Sequence, residues 1–247
     1  AVEALRDAWG GGDLRWLNPG IAAEFSLPFV PENRWDAWEG YQGLGFDLVV
    51  QPEAGRRKKM LLADMDSTMI GQECIDELAD MAGVGPRVAA ITARAMNGEL
   101  DFEGALIERV GLLKGLPESV IGKVLAERIT FTPRGQELIA TMKANGGYAA
   151  LVSGGFTAFT ARVAEALGFD ENRANTLHAE DGKLTGTVAE PILGKQAKLD
   201  ALEQISARLG LDMGETMAVG DGANDLAMLN RAGAGVVAVG AHRDRSG

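Results

Sequence analysis

The strongest constraint on the fold of this chain is a pattern that recurs along it: a short apolar run ends abruptly in small or acidic residues, and helical spacing follows. Met60-Leu61-Leu62-Ala63 runs into Asp64-Met65-Asp66-Ser67-Thr68. Tyr148-Ala149-Ala150-Leu151-Val152 runs into Ser153-Gly154-Gly155-Phe156, and Thr216-Met217-Ala218-Val219 runs into Gly220-Asp221-Gly222-Ala223-Asn224-Asp225. Such runs predict short buried strands. Ala158, Phe159, Val163, Ala164 and Leu167 mark a helix after the second run, and Leu226, Met228 and Leu229 mark one after the third. The expected fold class is therefore α/β with a parallel sheet, in which functional groups gather outside the carboxyl ends of the strands.

Side chains at i and i+2 leave a strand on the same side, so Asp64 and Asp66 are expected to reach one point. Two carboxylates that close are tolerable only with a cation between them or a shared proton. Alone, the pair also fits a cap on the following turn and helix. Asp221 and Asp225 change that balance, because four acids converging on one crevice offer the all-oxygen donor set that suits Mg²⁺. Neither segment has the spacing of a 12-residue calcium loop. Ser153-Gly154-Gly155 adds a hydroxyl donor and a backbone that an anion can approach, at an expected helix start. It is not a serine nucleophile elbow, since it departs from Gly-x-Ser-x-Gly and the chain has two histidines.

From Glu73 to Arg128 the apolar spacing is helical, punctuated by Gly85-Pro86, Asn97-Gly98 and Leu116-Pro117. This predicts a small helical cap over the crevice, able to exclude water. The first 55 or so residues form a separate element, with a helix near Leu5–Trp9, a break at Gly10-Gly11-Gly12 and a strand at Phe46–Val50. Trp9, Trp16, Trp35 and Trp38 are expected to be packing residues. Asp181-Gly182 within Thr176–Val188 predicts a β-hairpin, with His178 in it.

Taken in order, Asp64-Met65-Asp66-Ser67-Thr68, Ser153-Gly154-Gly155, a lysine within Gly194-Lys195-Gln196-Ala197-Lys198, and Gly220-Asp221-Gly222-Ala223-Asn224-Asp225 resemble the haloacid dehalogenase (HAD) superfamily over about residues 58–240. Within it, Asp-x-Asp-Ser-Thr-Met-Ile followed by Glu73 resembles the phosphoserine phosphatases. The resemblance implies a HAD-like Rossmannoid core at 56–72 and 131–247, a helical cap inserted after the first motif at 73–130, and a small N-terminal α+β element at 1–55 that regulates or dimerises. It implies Mg²⁺-dependent hydrolysis of O-phospho-L-serine to serine and phosphate, the last step of serine synthesis, through an aspartyl phosphate. Asp64 is then the nucleophile and Asp66 the general acid and base, with Ser153, the Gly154 amide and a lysine on the phosphoryl oxygens. The family register favours Lys198 over Lys195. Mg²⁺ is expected on the Asp64 carboxylate, the Asp66 carbonyl and Asp221, braced by Asp225. Glu73, Met96, Phe102, Arg109 and Asn224 match substrate-binding positions, with Glu73 toward the ammonium and Arg109 toward the carboxylate. The family usually continues past Gly240–Gly247 through a further helix and strand.

Two other readings stay open: the same chemistry on another small phosphoester or amino-acid hydroxyl, and a non-catalytic amino-acid-binding regulator with this fold. Net charge −11 argues against a nucleic-acid partner. No run reaches the length of a membrane helix, and a single cysteine, Cys74, fits a reducing cytoplasm without disulfides. A homodimer is the expected assembly if the N-terminal element dimerises.

Overall fold

The computed structural model describes residues 1–238, and the chain divides into two compact units, Ala1–Arg56 and Arg57–Gly247. In the first, helix α1 (Val2–Ala8) leads to an antiparallel pair, β1 (Arg15–Asn18) and β2 (Ala22–Glu24), then helix α2 (Arg34–Gln42). Leu5 and Trp9 are its buried apolar residues, and the Trp9 indole donates to Asn33. Trp16, Trp35 and Trp38 are exposed, contrary to the packing role expected of them. Phe46–Val50 is not a strand either. The Phe46 amide instead returns to the Tyr41 carbonyl, and its ring meets the Tyr41 ring edge-on, which closes the end of α2.

The second unit opens with β3 (Met60–Ala63), then the helices α3 (Cys74–Met81), α4 (Gly85–Met96), α5 (Phe102–Gly111) and α6 (Ser119–Glu127). Helix α7 (Gly135–Ala144) leads to β4 (Tyr148–Phe156), α8 (Thr157–Leu167) and β5 (Glu171–Asn175). A hairpin, β6 (Leu177–Glu180) and β7 (Lys183–Val188), precedes α9 (Lys195–Leu209), β8 (Thr216–Gly220), α10 (Leu226–Arg231) and β9 (Ala234–Val237). Among the described residues the main sheet has the order β5-β4-β3-β8-β9, and every pairing is parallel. The α/β class with a parallel sheet is as expected. Strand β9 ends at Val237, and residues 239–247, where the resembling family continues, lie outside the described residues.

The three apolar runs are central because both faces of the sheet are covered. Alternation sends Leu61, Ala63, Ala149 and Leu151 to one side, packed with Phe159 and Val163 of α8 and Leu78 of α3. Met60, Leu62, Ala150 and Val152 face the other, against Leu202 and Ile205 of α9 and Met228 of α10. The inserted helices are joined to the sheet by paired linkers. The Gly71 amide donates to the Thr130 carbonyl, Ile70 and Phe131 form a bridge, and the Gln72 amide group bonds both the hydroxyl and the N–H of Thr130. The hairpin turns at Asp181-Gly182 with φ of 50° and 72°, as the primed turn requires. His178 is exposed there, its Nδ1 beside the Thr187 hydroxyl.

Candidate active site

The strand ends converge on one cavity of about 170 Å³. Asp64 follows β3 directly, and its amide continues the ladder to the Val219 carbonyl of β8 at 2.9 Å. Lys198, near the start of α9, reaches in from behind: its Nζ lies 2.6 Å from Asp64 Oδ2 and 2.6 Å from Asp225 Oδ1. The other Asp225 oxygen accepts from the Gly222 amide at 3.0 Å. Gly220 makes this possible, since a Cβ there would lie 2.4 Å from Asp225 Cγ. Burial pushes the Asp64 carboxyl up to about 7, against the pull of Lys198. Burial alone would lower Lys198, but Asp64 and Asp225 outweigh it and hold the ammonium above its usual value.

Asp221 is exposed and its Oδ1 accepts from the Thr68 hydroxyl at 3.0 Å. Thr68 is itself fixed by the Thr132 hydroxyl, which donates to its carbonyl at 2.6 Å. Asp64, Asp221 and Asp225 each offer one carboxylate oxygen, all within 4.8 Å of one another. That donor set fits a hard divalent cation.

Asp66 lies past the end of β3, so strand alternation does not orient it. Its Oδ1 accepts from the Cys74 amide at the start of α3 at 2.8 Å, and its Oδ2 accepts from the Ser153 hydroxyl at 3.0 Å. Burial raises its carboxyl above the usual range, and those two donors hold the rise down. Ser153, Gly154 and Gly155 belong to the last residues of β4, which runs on to Phe156. The Ser153–Gly155 backbone is thus a strand end and not the helix start expected from sequence.

Ser67 has φ 53°, a left-handed conformation uncommon outside glycine, and it turns the chain so that its hydroxyl donates to Glu73 Oε1 at 2.7 Å. Loss of water around Glu73, with Asp66, Asp221 and Asp76 nearby, pushes its carboxyl up to about 7, although Ser67 opposes the shift. Arg109, on α5, donates through Nε to the Ala105 carbonyl at 3.2 Å and lines the cavity. Burial lowers its pKa, and Asp76 and Glu73 pull it back up.

Of the residues picked from sequence, Asp64, Asp66, Glu73, Phe102, Arg109, Ser153, Gly154, Asp221 and Asn224 line this cavity. Asp225 and Lys198 stand behind Asp64, and Lys195 is exposed. Met96 is 84% exposed and is not among the residues that line this cavity; α4 buries Val88 and Ile91, and Met96 falls off that stripe. Sequence reasoning missed Thr68 as the support of Asp221 and the Cys74 amide as a partner of Asp66. Ile75 and Leu106, within the helical spacing of 73–128, complete the apolar wall.

A family model described as haloacid dehalogenase-like hydrolase matches residues 61–230. The chain is 45% identical over 195 residues to a phosphoserine phosphatase of Archaeoglobus fulgidus, covering 78% of this chain and 56% of that protein. The chain spans about half the length of the first curated relatives it matches. A HAD family hydrolase of Salmonella enterica superposes with a TM-score of 0.85 at 32% identity, over 96% of this chain and 84% of that one. A substrate-bound phosphoserine phosphatase superposes with a TM-score of 0.66 at 44% identity, over 72% of this chain and 84% of that one.

Proposed function

We propose that this chain, which belongs to the haloacid dehalogenase-like hydrolase family, hydrolyses O-phospho-L-serine to L-serine and phosphate. The observation that carries the reading is one small cavity lined at its floor by Asp64, Asp66, Ser153 and Gly154 and at its helical side by Glu73 and Arg109. A phosphate ester with one ammonium and one carboxylate matches that charge pattern. The curated relatives named phosphoserine phosphatase support the same substrate.

In this reading Asp64 attacks phosphorus and becomes an aspartyl phosphate. Asp66 delivers its proton to the departing serine alkoxide, then takes one from the water that cleaves the phosphoenzyme. Its raised proton affinity suits the first task. Ser153, the Gly154 amide and Lys198 balance charge on the equatorial phosphoryl oxygens. Asp64, the Asp66 carbonyl and Asp221 would hold Mg²⁺, with Asp225 bracing the group. The ion, when bound, supplies positive charge that lowers repulsion between the acids and the phosphate. Glu73 receives the ammonium, Arg109 the carboxylate, and Phe102 and Asn224 complete the walls.

Residues 73–130 act as the cap that encloses the substrate, and residues 1–55 as a regulatory or dimerising element. Among the described residues no helix is long and apolar enough to cross a membrane. A single cysteine, free and buried at Cys74, supports a reducing cytoplasm as its setting. The test is phosphate release from L-phosphoserine beside a panel of small phosphoesters, with Mg²⁺ and with chelator. Selective, chelator-sensitive release is expected. Equal turnover of unrelated esters would move the substrate, and transfer to an added hydroxyl acceptor would move the reaction class.

A further inference from the structure

Asn175 ends β5, is 2% exposed, and takes no part in the chemistry above. All three hydrogen bonds of its side chain go to backbone. Nδ2 donates to the Gly154 carbonyl at 2.9 Å and to the Leu193 carbonyl at 3.2 Å, and Oδ1 accepts from the Leu193 amide at 2.7 Å. Two carbonyls need a donor and one N–H needs an acceptor, so a single orientation of the amide satisfies the set. The side chain thereby joins two segments that both belong to the site. One is the end of β4 at Gly154, and the other leads through Gly194 into α9 and Lys198.

We infer that Asn175 is a positioning residue that aims the Asp66 carboxyl through the Gly154–Gly155 peptide. The inference rests on the reading in which Asp66 protonates the leaving group. The Gly154 carbonyl and the Gly155 N–H are opposite ends of one planar unit, so gripping the oxygen fixes the direction of the N–H. That N–H donates to Ser153 Oγ at 2.8 Å. With one lone pair of Oγ engaged there, the hydroxyl proton turns to Asp66 Oδ2 at 3.0 Å. Contact reinforces the path: a Cβ on Gly155 would lie 2.8 Å from Asp66 Oδ2 and 3.1 Å from Ser153 Oγ. Gly155 has no room for a side chain between the carboxylate and the hydroxyl, and a tilt of its peptide plane displaces the hydroxyl that holds the acid. Leu193, held on the other side, keeps the entry to α9 in register with the same peptide.

The test separates positioning of an acid from simple support of the fold. An alkoxide leaving group needs a proton in the transition state, whereas 4-nitrophenolate does not, and kcat/KM reports the steps up to departure of that group. Asn175→Asp keeps the volume and the bond from the Leu193 amide but sets an oxygen against two carbonyl oxygens; Asn175→Ala removes all three bonds. Both esters are assayed on one preparation of the full chain, so any unfolded fraction cancels in their ratio. General-acid catalysis contributes about 10²–10⁴ in rate. The expected result is a fall in kcat/KM for L-phosphoserine at least roughly tenfold greater than the fall for 4-nitrophenyl phosphate. Equal losses on the two esters, or no loss on either, overturn the inference. If the wild-type chain rejects L-phosphoserine, the substrate reading fails by itself, and the same comparison is run with β-glycerol phosphate as the alkyl ester.

Discussion

Lys198 Nζ lies 2.6 Å from Asp64 Oδ2, with the two side chains 3% and 6% exposed. The same ammonium reaches Asp225, whose side chain is sealed from solvent, so one cation serves two buried carboxylates. Removing it leaves two like charges in a poorly solvated place, where breaking a buried pair costs about 3–5 kcal/mol. Lys198→Met is therefore expected to lower the urea-unfolding free energy by about 3 kcal/mol near neutral pH. Burial already holds the Asp64 carboxyl up to about 7 against the pull of Lys198, and loss of that pull raises it further. The folded variant then binds more protons than the unfolded chain from the ordinary carboxylate range of about 4 upward, so its stability falls as pH rises across that window. A loss under about 1 kcal/mol, typical of solvated pairs, would show that the lysine is dispensable to the fold.

Asp64→Asn keeps the shape of the side chain and removes the charge that attacks phosphorus in the proposed reaction. Turnover of L-phosphoserine is expected to vanish while the circular dichroism spectrum is unchanged. Acid-quenched wild type should carry the mass of one phosphoryl group and the variant none. A phosphorylated Asp64→Asn protein would move the nucleophile elsewhere.

The sheet and the floor of the site were legible because their residues announce themselves. β3, β4 and β8 are buried on both faces, so each reads as an unbroken apolar run, and the acids and glycines follow at once. β5 was not legible. Its sequence, Glu171-Asn172-Arg173-Ala174-Asn175, belongs to an edge strand that is only partly buried, and Tyr148 and Arg208 satisfy Glu171 from outside the strand. Asn175 was hidden with it. The exposure of Met96 was not legible either, since a methionine in an amphipathic helix carries no mark of which side it takes. Thr68 stood in plain view beside Asp66, but its bond to Asp221 spans 153 positions and no local pattern encodes such a contact.

Arg109 lines the cavity from α5, where its Nε donates to the Ala105 carbonyl and Asp76 and Glu73 act on its charge. If it meets the substrate carboxylate, its loss should be felt only by substrates that have one. Truncating one partner of a desolvated charge pair costs about 2 kcal/mol or more. Arg109→Ala should raise KM for L-phosphoserine roughly 30-fold, the equivalent of that energy. Phosphoethanolamine, which lacks the carboxylate, should be affected less than about threefold. Equal losses on both compounds would remove Arg109 from that role.

Glu73 gives the site a pH dependence that can be assigned by substrate. Its carboxyl is pushed up to about 7 by loss of water and by Asp66, so it is increasingly neutral below that pH. A neutral Glu73 cannot pair with an ammonium. KM for L-phosphoserine is therefore expected to rise as pH falls from 8 to 6, by up to about tenfold for each unit below 7, the limit for one proton. The phosphate group titrates in the same range, so the control is 3-phosphooxypropanoate, which keeps the phosphate and carboxylate but lacks the amine. Its KM should change only with the groups that both compounds meet alike, the phosphate and Asp64. In Glu73→Gln the two compounds should follow the same pH curve, because the group that distinguishes them no longer titrates. Persistence of the difference in that variant would place the ammonium on another acid, with Asp76, whose charge acts on both Glu73 and Arg109, the next to replace.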